Sequence, residues 1–340
     1  MKHLPHSNGV YKVNMKRELK PKDIIKGIAI SLIIILLVGF IYQRISNFIA
    51  KETLKPKVNY TRVDEKRLDY KMSGGGKYTI VFDGNIGANL NQWNKVVESL
   101  NVELNDVTTF VYNRKGYGYS DGGSKRTPKE QAMDLKILLR KAAAPPPYIL
   151  VGEEYGSLVI SNFVEAYPET VAGVVLVNPV VESEINSKEF KKDKRLEMVR
   201  RKVEKLGSEI GFTTILDKVN LDCKIYGFED KIDDENILEE FNVHRTKSNY
   251  TEAVDNELSN LTSGENNSQY EGAFPGIPYY LVYKDGQESL INLGDKELTK
   301  CYKTTAESNF ISIENPETIV TGIKQVIKQA NDIEKKEKKQ

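Results

Sequence analysis

Four short apolar runs limit what this chain can become: Tyr78–Phe82, Val107–Tyr112, Tyr148–Val151 and Gly173–Val177. Each is too short for a stable helix, rich in β-branched or aromatic residues and apolar on both faces, as strands buried inside a parallel sheet are. Between them lie longer stretches of helical period, Gln92–Leu100, Lys129–Ala142 and Tyr155–Tyr167. Parallel neighbours need a crossover, and a helix is the usual one, so the alternation predicts a mainly parallel sheet with helices on both faces. Two polar-alternating runs, Asn59–Asp64 and Lys66–Met72, predict a leading hairpin. Ser73-Gly-Gly-Gly-Lys77 then reads as a turn, too weak a signal for a phosphate loop.

The rhythm breaks between about Val181 and Phe274. Glu182–Leu206 is a charged helical pattern with apolar points at Phe190, Leu196, Val199 and Val203, and the remainder is polar and irregular. This is read as a helical insertion (about 181–274) over the carboxyl edge of the sheet, where open α/β sheets bind ligands. Strands resume at Ile277–Tyr283 and Phe310–Ile313, and Pro316 opens a closing helix to about Ile333. The charged residues 334–340 read as a frayed tail.

Residues 150–157, Leu-Val-Gly-Glu-Glu-Tyr-Gly-Ser, carry the densest chemical information. A buried strand meets a helix at a turn framed by Gly152 and Gly156, the frame in which a G-x-S-x-G motif holds a nucleophilic serine on strained backbone. Here the central residue is Glu154.

The amino-terminal region is of another kind. Gly27–Tyr42 is uncharged and almost wholly apolar; with Ile24, Ile25 and a snorkelling Lys26 it reaches the roughly 20 residues that span a bilayer. A long polar stretch before it and no small-x-small site near Ile45–Ala50 favour an uncleaved anchor over a signal peptide. The predicted organisation is a cytoplasmic segment 1–23, an anchor 24–45, a tether 46–57 and a folded domain 58–333. Lys12, Lys16, Arg17, Lys20, Lys22 and Lys26 precede the span, whereas Arg44, Lys51, Lys55 and Lys57 follow it. That bias predicts a single-pass protein of the cell membrane with its domain extracytoplasmic. A net charge of +1 argues against a broad surface for nucleic acid. No metal-ligand spacing occurs and no cofactor is expected. Cys223 and Cys301 read as two free thiols packed as small hydrophobes, a single bridge being the alternative.

In its segments and their order the chain resembles the α/β-hydrolase-fold family, specifically prolyl aminopeptidases and small esterases. Phe82-Asp-Gly-Asn-Ile-Gly87 followed by Trp93 is similar to the family's oxyanion loop. Tyr112-Asn-Arg-Lys-Gly-Tyr-Gly-Tyr-Ser-Asp121 resembles its YDRxGxGxSD segment with Asn113 replacing aspartate. Pro146–Gly152, Ala172–Pro179 and Phe310–Glu317 resemble the approach to the elbow, the strand after it and the closing segment. The resemblance implies oxyanion donors at the backbone N–H of Tyr155 and in the loop at Ile86 and Gly87, and an acid at Asp285. It also locates the histidine slot at Asn309, leaving His244, in the insertion, as the one histidine of the domain.

Two of three triad members are therefore absent. The leading reading is a non-catalytic, membrane-tethered relative whose pocket or cap binds a small apolar ligand or a protein partner. The alternative is a hydrolase of esters, epoxides or related substrates that uses Glu154 as nucleophile or general acid/base, assisted by Asp285 or His244. A third reading displaces the nucleophile to Ser157 or Ser120. The cap-helix lysines fit a solvated face, with anionic lipid as the second option.

Overall fold

The computed structural model describes residues 20–53, 58–104, 106–185, 187–209, 213, 227–263 and 266–338. Lys12, Lys16 and Arg17 of the expected cytoplasmic segment, the last part of the tether and Cys223 lie outside them.

Among the described residues, eight strands form one sheet in the order β1-β2-β4-β3-β5-β6-β7-β8. β1 (Asn59–Val63) and β2 (Lys66–Gly74) make the antiparallel hairpin, and β2 pairs antiparallel with β4 (Val107–Tyr112). From β4 onward every pairing is parallel, through β3 (Tyr78–Asp83), β5 (Tyr148–Glu153), β6 (Val171–Val177), β7 (Tyr279–Tyr283) and β8 (Thr299–Lys303). The central strands read as continuous apolar runs because both faces are covered. On one face Val81, Leu150 and Leu176 meet α3 (Pro128–Lys141), α4 (Gly156–Ala166) and the insertion. On the other, Ile80, Phe82, Ile149 and Val151 meet α2 (Asn94–Glu103) and α10 (Pro316–Glu337).

Local signals set the helix starts. Thr127 and Glu130 close a reciprocal capping box ahead of Pro128 at the first turn of α3. The insertion contains α5 (Glu182–Ile185), α6 (Lys188–Glu209), α7 (Glu235–Arg245) and α8 (Ser248–Ser263). Most of what the sequence presents as irregular between 227 and 263 is thus helical, α7 being capped by Asp234, whose carboxylate accepts from Asn236 N–H at 2.8 Å.

Several expectations are corrected. Phe310–Ile313 is not a strand: Ile311–Glu314 is a short helix, α9, because the Glu153 carboxylate takes the Ile311 and Ser312 N–H groups that a ladder would need. The last strand is β8, hidden by its polar composition and edge position. Cys301, on β8, is exposed and not packed as a hydrophobe. α10 runs on to Glu337, through the first residues of the expected tail, where Lys338 pairs with Glu334. α1 is one helix, Pro21–Thr53, longer than the expected anchor; its Pro21–Tyr42 portion is long and apolar enough to cross a membrane.

Candidate functional site

The carboxyl ends of β3 and β5 lie side by side, Asp83 opposite Gly152, and the loops leaving them face one another. The turn after β5 holds Glu154 at φ +50, left-handed backbone that is unfavourable for a side-chain-bearing residue and is tolerated where surrounding structure enforces it. Gly156 shows how close the two loops come. A Cβ there would lie 2.3 Å from the Asp83 carbonyl oxygen, and its N–H donates to the Gly84 carbonyl at 3.1 Å. A Cβ on Gly152 would meet the Gly156 carbonyl group at 2.9 Å. Both glycines are therefore required by backbone contact.

The two adjacent glutamates diverge across this turn. Glu154 Oε2 accepts from its neighbour Tyr155 N–H at 2.8 Å and from Ile86 N–H at 3.4 Å. These are two of the three donors the sequence nominates for an oxyanion, and the carboxylate lies between them. The third is elsewhere: Gly87 N–H donates to the Tyr117 hydroxyl at 3.1 Å, while the Gly87 carbonyl accepts from the Tyr250 hydroxyl at 2.6 Å. Burial pushes the Glu154 carboxyl up from its ordinary range, opposed by the two N–H groups and by the positive charges of Lys194 and Arg114.

Glu153, wholly buried, points to the other side. It accepts from Ile311 N–H at 2.6 Å, Ser312 N–H at 3.1 Å, Gln92 Nε2 at 2.5 Å and the Ser312 hydroxyl at 2.5 Å. Burial outweighs these donors and raises its pKa to about 7. Glu153 thereby fixes the start of α9, directly after the loop that carries Asn309.

The other candidates do not join Glu154. Asn309 is exposed, and its backbone carbonyl accepts from Asn85 Nδ2 at 2.8 Å. Asp285 is also at the surface, its side chain 88% exposed and paired with Lys303, so it has no buried base to orient. His244 is buried in α7, its ring 4.5 Å from that of Tyr119 and its Nδ1 3.2 Å from Lys247 Nζ. Burial and Lys247 depress its pKa to about 3. The serines serve local structure: Ser157 donates to the Glu154 carbonyl at 2.5 Å, and Ser120 donates to the Asp69 carboxylate at 2.6 Å while accepting from Asp69 N–H at 3.0 Å.

Sequence reasoning missed the structure beneath the oxyanion loop. Arg114 is buried between Asp83 and Glu257, pairing with both, and its guanidinium also donates to the carbonyls of Gly84 at 2.8 Å and Asn85 at 3.1 Å. Glu257, on α8, accepts from Arg114 Nε at 2.7 Å, Gln131 Nε2 at 3.0 Å and the Tyr117 hydroxyl at 2.6 Å. The insertion is thus locked to the oxyanion loop by a buried charge network. The motif around Arg114 was visible, but nothing local distinguishes Glu257 from the other polar residues of α8.

Aromatic rings complete the closure. From Tyr117 the row runs to Tyr250 (5.4 Å), Phe241 (6.0 Å), Phe228 (4.9 Å) and Phe310 (5.3 Å), ending beside Asn309. All five residues are buried. Two clefts border these groups, one lined by Leu68, Arg114, Gln131 and Glu257 and the other by Gln92, Phe228, Ile232 and Ile313, and Glu154 lines neither. No group of three or more metal-ligating side chains occurs among the described residues.

Comparison with known proteins agrees with this architecture. The sequence matches the alpha/beta hydrolase fold family over residues 80–283. An uncharacterized protein of Bacillus subtilis (strain 168), YqjL, is 29% identical over 109 residues, which are 32% of this chain and 42% of that protein. The chain thus spans less than half the length of that relative. A thermophilic esterase from Thermogutta terrifontis superposes with a TM-score of 0.58 at 17% identity, covering 82% of this chain and 99% of its own. For the enol-lactonase of Burkholderia xenovorans LB400 the values are 0.57, 15%, 79% and 100%. The epoxide hydrolase CorEH gives 0.60, 13%, 80% and 99%. With the sheet order, the elbow and the family match in agreement, this chain belongs to the α/β-hydrolase-fold family.

Proposed function

We propose that this chain is a membrane-tethered α/β-hydrolase-fold protein in which acyl-transfer chemistry is silenced and the folded domain serves to bind a partner. One observation carries the reading: the Glu154 carboxylate lies between Tyr155 N–H and Ile86 N–H, where a hydrolase of this fold would stabilise the oxyanion of its tetrahedral intermediate. The resident carboxyl oxygen occupies the place of any developing oxyanion, and Glu154 replaces the serine that would form one. The buried ring row supports a protein partner over a small apolar ligand, because side chains of the insertion occupy the space beside the oxyanion loop. The long apolar helix supports the tether, and the charge bias of its flanks supports an extracytoplasmic domain.

A carboxylate-dependent hydrolase is the second reading, favoured by the raised pKa of the buried Glu154 carboxyl. It needs a base to release the covalent ester, and among the described residues the domain's one histidine, His244, packs against Tyr119 and Lys247. The test is turnover by the full chain and its Glu154→Gln variant across ester, amide, epoxide and haloalkane substrates. Silence in both folded proteins is expected. Turnover in the wild type that vanishes in Glu154→Gln would sink the proposal and establish the second reading.

A further inference from the structure

α6 is inside out. Leu196, Val199, Val203 and Leu206 recur at intervals of three and four, the spacing of one helix stripe, and are 79%, 54%, 58% and 67% exposed. Beyond Phe190, which packs against the core at its amino end, the side of α6 that meets the protein is mostly polar. Ser208 bonds Thr251 at 2.7 Å, Met198 accepts from the Thr262 hydroxyl at 3.5 Å, and Lys205 pairs with Glu252 at 3.1 Å, all across to α8. An apolar stripe turned outward on a helix with a polar inner face is a surface waiting for a cover.

Charge selects the cover. Lys188, Lys191, Lys192, Arg195, Arg200 and Lys202 are exposed on the same helix, and among its described side chains the exposed acid is Glu189. On a helical wheel Lys188 and Lys192 extend the stripe toward the amino end, with Arg195 and Lys202 along one edge and Arg200 along the other. A second copy of this helix would set like charges against each other. A bilayer carrying anionic headgroups satisfies both features, accepting the apolar residues into its interface and the cations at its surface. The chain supplies proximity: Thr53 ends α1 and Asn59 opens β1, and the intervening residues reach at most about 20 Å.

We infer that α6 docks the domain onto the anionic surface of the membrane that anchors it, with Leu196, Val199, Val203 and Leu206 inserted in the interface. The inference rests on the tethered reading above, and the experiment separates the two. The full chain, with Cys223→Ser and Cys301→Ser, carries one environment-sensitive dye on Val199→Cys, or in a second preparation on Ile34→Cys within the apolar helix. It is reconstituted in vesicles of phosphatidylcholine alone or of equal parts phosphatidylcholine and phosphatidylglycerol, each containing nitroxide-labelled lipid, and Trp93 emission confirms the fold. Quenching at Val199 that requires phosphatidylglycerol is the expected result. Replacing Lys188, Lys192, Arg195 and Lys202 by Gln should then lower the docked-to-free ratio by several hundredfold, at about fivefold per charge. An unquenched Val199 dye in anionic vesicles overturns the inference, as does shielding that appears in neutral vesicles only at high protein density, which would mean self-association. The Ile34 dye reads the anchor independently: quenched with Val199 silent, it leaves the tether standing and removes only the docking.

Discussion

Glu153→Gln should change how the stability of the domain depends on pH, by an amount the structure sets. The carboxyl is fully buried, and its pKa of about 7 compares with 4.5 for an unburied glutamate. A group whose folded pKa is raised contributes fully below the unfolded value, and that contribution is lost as pH rises through the folded one. The window here is pH 4.5 to about 7. The difference of about 2.5 units, at 1.36 kcal/mol each, is roughly 3 kcal/mol of stability lost across it. In Glu153→Gln this part of the slope disappears. Asp69, raised to about 6 by its own burial, adds a parallel loss in both proteins, so the difference between the two curves isolates Glu153. Chemical unfolding in mild detergent is the assay, and Trp93 is a well-placed reporter. It is the chain's single tryptophan, buried in the domain beside Phe82 and next to Gln92, a partner of Glu153. Parallel curves for wild type and Glu153→Gln between pH 4.5 and 8 would refute the argument, since Glu153 would then be ionised in the fold without penalty.

Two further outcomes follow from the buried charges. Arg114→Met strands Asp83 and Glu257 in the interior and should destabilise the domain by about 3–5 kcal/mol in the same unfolding assay, with partial recovery on adding Asp83→Asn and Glu257→Gln. His244, held at a pKa of about 3, stays neutral in the fold, so its imidazole proton resonances, identified by their loss in His244→Gln, should not move between pH 5 and 8. Its depressed pKa contributes stability above the unfolded value of 6.5 that is lost as pH falls toward 3, and His244→Gln should flatten the acid limb of the stability curve.

The sequence by itself determined the sheet and the elbow. Runs such as Tyr78–Phe82 and Tyr148–Val151 are apolar on both faces, and such a run has no stable place except between two helical layers. Gly152 and Gly156 were legible for a similar reason: backbone, of the same turn at Gly152 and of the β3 end at Gly156, occupies the space a Cβ would take, so the requirement is written in residue type. β8 and α9 were not legible. An edge strand such as Thr299–Lys303 gains its pairing from β7 rather than from its own apolarity, and Ile311–Glu314 is helical because a carboxylate from β5 takes its first N–H groups.

Of the site, the sequence determined what is missing, a serine at 154 and a histidine at 309. Only the tertiary structure decided what fills the space. Whether Glu154 faces solvent, a metal or the N–H groups of Tyr155 and Ile86 depends on a loop 68 residues earlier in the chain, and Glu257 reaches Arg114 from 143 residues away. The same holds for α6, whose apolar stripe suggests a buried face until the packing shows that its polar side was the one α8 needed. Periodicity records that a helix has two faces. Which face turns inward is fixed by the partner that it meets.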